Sequence, residues 1–213
     1  MGIMQDGKWI TKNALVETEN GQFKRQDSAF RNWLGDDHFP FEAGRYVLYV
    51  SHACPWCHRT TIFRVLKRLE DHIRLVVVNA HMGDHGWAFP DGGDPVTGAQ
   101  YVYELYAKAK ADYSGKVTVP VLWDTERETI VNNESADIIR MFNELGAADT
   151  PDFYPKALRS DIDAINNTVY HHVNNGVYKT GFASTQEAYE KAFNQLFTTL
   201  DDLESQLDGK PYL

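Results

Sequence analysis

Arg45-Tyr46-Val47-Leu48-Tyr49-Val50-Ser51-His52-Ala53-Cys54-Pro55-Trp56-Cys57-His58-Arg59-Thr60, running on into Thr61-Ile62-Phe63-Arg64-Val65-Leu66-Lys67-Arg68, is the stretch that decides the fold. Val47 to Val50 form a short β-prone run of the buried-strand kind. Ser51 to Ala53 make a tight connection. Pro55 then occupies a position where a first helical turn tolerates proline, and Ile62, Phe63, Val65, Leu66 and Leu69 supply an apolar helical face. Cys54 therefore falls just before a helix begins. The unsatisfied amide N–H groups there, with the positive end of the helix dipole, favour an anion. A thiol at such a place loses its proton more easily than free cysteine, whose pKa is about 8.5.

Four readings compete for this stretch. Two buried cysteines acting as small hydrophobes are the plainest, but the strand–loop–helix setting argues against it. A zinc site needs about four ligands. There is no second cysteine pair, only scattered histidines, so no metal is expected. Cys54-Pro55-Trp56-Cys57-His58 also matches the haem c attachment pattern. No secretion leader is read before it, however, and a covalent haem would displace the following helix. The remaining reading is a thioredoxin-type redox or thiol-transfer site, with Cys54 as the exposed nucleophile and Cys57 one turn inside the helix. That is the reading adopted.

Composition narrows the classes further. The 213 residues suffice for one large domain or two small ones. A net charge of −9 argues against nucleic acid or an anionic membrane as the main partner. The only two cysteines share one motif, which excludes a disulfide framework and fits a reducing compartment. Met1 to Trp9 lack the apolar core of a secretion leader, and nowhere is there a long uncharged apolar run. A soluble, cytoplasmic protein is expected.

Outward from the central stretch, residues 1–44 show no sustained period and read as an ordered arm, since Phe23, Phe30, Trp33 and Phe39 would otherwise be exposed. Ile73 to Ala80 read as a second buried strand, parallel to the first because a crossover helix joins them. Residues 81–114 form a Gly-, Asp- and His-rich insertion, of the kind that is usually functional, with a short helix over 101–110. Its His81 and His85 are spaced i, i+4, but the surrounding glycines favour solvated loop histidines. Val117 to Asp124 and Thr129 to Asn132 read as a hairpin around a polar turn. Pro120 should not sit in a central ladder; a special proline beside a site, cis in one form, would explain it. Ser135 is expected as the N-cap of a helix running from Ala136 to Leu145 and ending at Gly146. After a linker at 147–152, helical patterns cover Leu158 to about Asn175 and Thr185 to about Leu207, with Asn174 to Phe182 lying between them.

At this point the residues resemble a known family. The thioredoxin-like half followed by helices is similar to a glutathione S-transferase, and within that superfamily to the glutathionyl-hydroquinone reductases, the Xi class, related to the omega class. The similarity rests on Gly21 to Arg25, Ser28 to Trp33, Leu48 to Ser51, Cys54-Pro55-Trp56 and Gly86 to Phe89. It continues through Tyr113 to Trp123, Thr129 to Ser135, Ile138 to Phe142 and Asn174 to Tyr178. The resemblance implies an α/β thioredoxin-like N-terminal domain followed by an all-α glutathione-transferase C-terminal domain. The divisions expected are an arm at 1–44, a glutathione-binding domain at 45–146, and a helical domain at 152–213 that is incomplete in this chain. It also implies a homodimer.

The family uses a cysteine to remove glutathione from glutathionyl-hydroquinones, so the resemblance implies Cys54 as nucleophile and glutathione as cosubstrate, without a metal. Trp87, Lys116, Val119, Glu134 and Ser135 match positions that hold glutathione, and Tyr178 matches a tyrosine lining the quinone side. Strand-like backbone at Val119 can pair with the tripeptide, Glu134 can meet its ammonium, and Ser135 can bind a carboxylate. Three departures are visible. Cys57 stands where the family commonly has alanine, so it could act as a resolving thiol. Lys116 replaces a typical arginine, which loses a bidentate grip on a carboxylate. Gly209 to Leu213 looks like mid-domain sequence. Two rivals follow from other classes: a glutaredoxin-like disulfide oxidoreductase or dehydroascorbate reductase using the Cys54–Cys57 pair, and a non-enzymatic binding protein of the same fold.

Overall fold

The computed structural model describes residues 2–11 and 18–213. Two short hairpins begin the chain, β1 (Gly2–Gln5) with β2 (Lys8–Thr11) and β3 (Thr18–Glu19) with β4 (Gln22–Phe23). Each turns on a two-residue loop, Asp6-Gly7 and Asn20-Gly21, whose φ angles are 49°, 75°, 52° and 80°. Both central residues at positive φ match the right-handed twist of the flanking strands, and Asp-Gly and Asn-Gly adopt that geometry at least cost. The described part of residues 1–44 thus contains two hairpins that the lack of periodicity concealed.

The chain divides into two compact units. The first joins the β1–β2 hairpin to Gln26–Phe153. Its sheet contains β5 (Tyr46–Val50), β6 (Ile73–Val77), β7 (Val121–Asp124) and β8 (Thr129–Asn132), in the order β6-β5-β7-β8. β5 is buried along its whole length. It pairs in parallel with β6, Tyr46 against Ile73 and Val50 against Val77, and antiparallel with β7. β7 is central and begins only after Pro120, so the proline, lacking an N–H, stays outside the ladder. The Val119–Pro120 peptide is cis.

Three helices complete this unit: α1 (Pro55–Leu66), α2 (Val102–Ala109) and α3 (Ser135–Leu145). α1 packs on α3, and α2 on β8. The apolar face expected for α1 is largely outward: Ile62, Val65 and Leu66 are exposed, while Cys57 and Thr60 are buried. Small side chains let the helix approach its neighbours closely, and the Thr60 hydroxyl is satisfied by the Cys57 carbonyl at 2.7 Å. The insertion after β6 is tied down by buried Asp94, which accepts hydrogen bonds from the Tyr49 hydroxyl (2.7 Å) and the Thr97 amide (3.0 Å). His81 and His85 are exposed, and the His85 ring lies against Tyr101.

The second unit joins the β3–β4 hairpin to Tyr154–Leu213. After a 3₁₀ turn at Lys156–Leu158 come α4 (Arg159–Thr168), a π-helical segment (Val169–Asn174), α5 (Asn175–Gly181) and α6 (Gln186–Leu207). The stretch from Asn174 to Phe182, expected to lie between helices, is therefore mostly helix. Asn175 is buried and accepts a hydrogen bond from Arg25, and Gly176 lies closely against Leu196 of α6. Tertiary packing overrides the weak propensity of Asn-Asn-Gly. No helix among the described residues is long and apolar enough to cross a membrane.

Candidate active site

Cys54 is the N-cap residue of α1, with extended backbone (φ −100°, ψ 115°) and Pro55 following at the first helical position. Its amide donates to Ser51 O at 3.1 Å, and its carbonyl accepts from Cys57 N and His58 N at 3.1 and 3.2 Å. The backbone around the sulfur is thus pinned on both sides. Cys54, expected to be exposed, is buried at 9% exposure, because its Sγ turns inward and donates to Val119 O at 3.5 Å. The cis peptide after Val119 therefore lies directly across from the thiol.

Cys57 is only 1% exposed. Burial pushes its thiol far above the ordinary value, and a hydrogen bond with Cys54 pushes it further; the Ser51 amide, 3.5 Å from Cys57 Sγ, opposes weakly. Cys57 is accordingly held protonated, as a neutral donor beside the Cys54 sulfur. Both cysteines are free thiols.

The segment before the cis peptide is fixed from behind. The buried Tyr106 hydroxyl donates to Thr118 O at 2.9 Å and accepts from Asn133 Nδ2 at 3.0 Å. One phenol therefore joins the Val119 loop to the start of α3. Three residues earlier, the Lys116 amide donates to Gln26 Oε1 at 3.0 Å, and the Lys116 carbonyl accepts from the Tyr113 hydroxyl at 2.8 Å.

At α3 the cap differs from expectation. Glu134, not Ser135, is the N-cap: its Oε1 accepts from Ala136 N at 3.1 Å, and its own amide donates to Asn132 Oδ1 at 2.7 Å. The longer carboxylate reaches the amide two residues on, so Ser135 enters the helix as its first residue. Ser28 donates to Glu134 Oε2 at 3.0 Å. The buried Ser135 hydroxyl accepts from Arg59 Nε at 3.0 Å and Nη2 at 2.7 Å, with that Nη2 3.7 Å from Glu134 Oε1. Arg59 belongs to the same helix as Cys54, and its guanidinium lies 5.1 Å from the Trp56 ring centre.

Cys54, Val119, Glu134 and Ser135 are thus brought together in one unit, with Lys116 on the loop leading to Val119. Trp87 is half-buried in the same unit, and its carbonyl accepts from Val102 N at 2.9 Å. Tyr178 belongs to the second unit, stacked on Phe23 at 5.9 Å, with the Arg25 guanidinium 4.6 Å from its ring centre. Sequence reasoning missed Arg59, Ser28, Tyr106 and Asn133. For Arg59 a signal existed, because Trp56 and Arg59 are spaced i, i+3 and share a helix face. Among the described residues, no cluster of three or more His, Cys, Asp or Glu could hold a metal ion.

Comparison with known proteins is consistent with this geometry. Residues 53–145 match the family described as glutathione S-transferase, N-terminal domain. The chain is 48% identical over 221 residues to the glutathionyl-hydroquinone reductase PcpF of Sphingobium chlorophenolicum, covering 100% of this chain and 70% of that protein. It is similar to the crystal structure of the glutathione S-transferase Xi from Phanerochaete chrysosporium, with a TM-score of 0.85 and 53% identity over 90% of this chain and 69% of that one. It is also similar to the glutathione-bound structure of YqjG, a glutathione transferase homologue from Escherichia coli K-12. There the TM-score is 0.86 and the identity 45%, over 100% of this chain and 68% of that one.

Proposed function

The chain belongs to the glutathionyl-hydroquinone reductase family, the Xi class of the glutathione S-transferases, and we propose that it removes glutathione reductively from glutathionyl-hydroquinones with Cys54 as nucleophile. The observation that carries this reading is the Cys54 sulfur at a helix start, 3.5 Å from the Val119 carbonyl. That carbonyl is where a bound tripeptide's cysteinyl N–H would pair. Its arrival displaces the thiol from Val119 and leaves the two sulfurs adjacent.

The chemistry balances with glutathione alone as reductant. The Cys54 thiolate attacks the glutathione sulfur of the substrate, forming the Cys54–glutathione disulfide and breaking the aryl carbon–sulfur bond. The electron pair stays on the ring carbon, which takes up a proton and leaves as hydroquinone. A second glutathione thiolate then attacks the glutathione sulfur, releases glutathione disulfide and returns the Cys54 thiolate. Trp87, Lys116, Val119, Glu134 and Ser135 hold the glutathione in this account. Tyr178 is assigned to the quinone side only by its match to the family's position.

A second reading makes Cys57 a resolving thiol, favoured by its hydrogen bond with Cys54. Its near-complete burial and raised pKa weigh against that role during turnover. The family also supports a homodimer, and the confinement of both cysteines to one motif supports the cytoplasm. The test is turnover of a purified glutathionyl-hydroquinone with glutathione, reading products by chromatography. One hydroquinone per glutathione disulfide is expected; reduction of dehydroascorbate or a small disulfide without any deglutathionylation would replace this reading with its rival.

A further inference from the structure

We infer that Trp9 is a positioning residue for Trp87, and that the β1–β2 hairpin carrying it clasps two of the segments assigned to glutathione. This rests on the reading of glutathione as the ligand and adds a residue that acts through the backbone of the site.

Gly83 and Gly86 close a tight turn through two mutual backbone hydrogen bonds, at 3.2 and 3.0 Å, with Asp84 and His85 at its tip. The turn is exposed except at Gly86, which is buried and left-handed (φ 73°). The Trp9 ring lies so close there that a Cβ on Gly86 would fall 2.9 Å from it. The Trp9 indole N–H also donates to Asp84 O at 3.0 Å, and the Thr11 hydroxyl donates to the same oxygen at 3.4 Å. Trp9 therefore holds the turn at both its tip and its base. The next residue along the chain is Trp87.

The other side of Trp87 is fixed by α2. The Trp87 carbonyl accepts from Val102 N at 2.9 Å, and Tyr103, the next residue after Val102, stacks on Trp9 with ring centres 5.0 Å apart. Tyr103 stacks in turn on Tyr101, against which His85 of the turn lies at 4.8 Å. Trp87 is thus bracketed by two contacts that share one indole. Opposite Trp9 in the hairpin stands Met4, which is buried and exchanges two backbone hydrogen bonds with Gly115, both at 2.9 Å. Gly115 precedes Lys116 on the segment leading to Val119. An exposed turn with two glycines loses much conformational freedom on ordering. Without Trp9, glutathione binding would have to supply that ordering, and the apparent affinity would fall by the fraction of ordered turn. Cys54 is held separately, by Ser51 O and the α1 amides, so the chemical step is spared.

The experiment measures dissociation constants of non-reactive S-methylglutathione by calorimetry, and kcat and KM for glutathione in the deglutathionylation assay, with circular dichroism as the check on folding. Trp9→Leu is expected to weaken S-methylglutathione by about tenfold and raise KM alike, with kcat within about threefold of wild type. Trp9→Phe keeps a ring over Gly86 and Tyr103 but loses the indole N–H, so its loss should be no more than about threefold. Gly86→Ala attacks the same contact from the turn and should reproduce the Trp9→Leu defect. The deciding readout is coupling. In a Trp87→Ala background, Trp9→Leu should weaken binding by less than about twofold further, because the residue through which it acts is gone. Full additivity of the two losses is what a merely structural role would give, and it overturns the assignment. So does a Trp9→Leu protein that binds S-methylglutathione as wild type does, or one whose kcat falls while its affinity is kept. Should Trp9→Leu fail to fold, Gly86→Ala decides, alone and in the Trp87→Ala background. A wild-type protein that binds no S-methylglutathione would instead remove the underlying glutathione reading, and this inference with it.

Discussion

The Cys54 sulfur and the Val119 carbonyl oxygen face each other at 3.5 Å across the space between a helix start and a cis X–Pro peptide. In the proposed mechanism one group supplies the chemistry and the other supplies backbone for a peptide ligand, so that ligand binding releases the thiol. Behind Val119, the Tyr106 hydroxyl ties the same loop to Asn133, next to Glu134. That hydroxyl thereby ties the Val119 loop to the start of α3.

Glu134 accepts hydrogen bonds from Ser28 and Ala136 and caps α3, whereas Cys54 caps α1. Its proposed contribution is to ground-state binding of glutathione. Glu134→Gln is expected to raise the KM for glutathione by about tenfold while kcat falls by less than about threefold. Steady-state kinetics with varied glutathione checks this. A kcat that collapses at unchanged KM would place Glu134 in the chemical step instead.

Cys57 is buried beside Cys54, the proposed nucleophile, and held protonated. Iodoacetamide at neutral pH should therefore modify Cys54 alone in the native protein, with Cys57 reacting only after denaturation. Cys57→Ala should keep deglutathionylation within about threefold of wild type, since the second glutathione does the resolving. Peptide mapping and turnover assays check the two halves. A loss of about a hundredfold in Cys57→Ala would make it the resolving thiol.

The fold was readable where one short pattern suffices. Val47 to Val50, Pro55 and the period after it mark strand and helix, and Cys54 falls at the cap as the local pattern requires. Other features are set by contacts remote in sequence. Arg59 meets Ser135 and Ser28 meets Glu134 only after folding, so no local pattern carried either pairing. The helix through Asn175 and Gly176 is decided by Arg25 and Leu196 rather than by its own propensity. The two hairpins are a different case: Asp6-Gly7 and Asn20-Gly21 are strong turn signals, overlooked because their strands are very short.

Arg45 and Asp124 make a two-pronged buried pair at 2.9 and 2.6 Å. Burial pushes the Asp124 carboxyl up, but the Arg45 hydrogen bonds and the amides of Arg127 and Glu126 outweigh it and hold it below the usual range. A depressed carboxylate contributes stability above its unfolded pKa of about 3.9 and loses it as pH falls further. Asp124→Asn should cost about 3 kcal/mol at neutral pH, because it leaves Arg45 underpaired. Its Tm should also decline less than that of wild type between about pH 4 and pH 2. Equilibrium unfolding across that range checks both.

The alkaline limb follows from the opposite shift. Burial raises the Cys57 thiol, and burial raises Tyr46 to about 12. A group whose folded pKa lies above its unfolded value contributes stability that is complete below the unfolded pKa and is lost as pH rises beyond it. For Cys57 the loss begins near pH 8.5 and for tyrosine near pH 10. Stability should fall with pH above about 8.5, and Cys57→Ala should remove the first part of that slope, about 1.4 kcal/mol per pH unit. Thermal melts from pH 7 to 10 supply the comparison.

The central claim is that Cys54 takes glutathione from the substrate onto its own sulfur. The direct measurement mixes wild-type protein or Cys54→Ser with a glutathionyl-hydroquinone, without free glutathione, and reads intact mass and released hydroquinone. Wild-type protein should gain one glutathione on Cys54 and release one equivalent of hydroquinone. Cys54→Ser should stay folded, gain nothing, and turn over on the order of 10³-fold or more slowly once glutathione is added, because a serine hydroxyl is hardly ionised near neutral pH. Hydroquinone release by Cys54→Ser at the wild-type rate, or by wild type without any adduct at Cys54, would contradict the account.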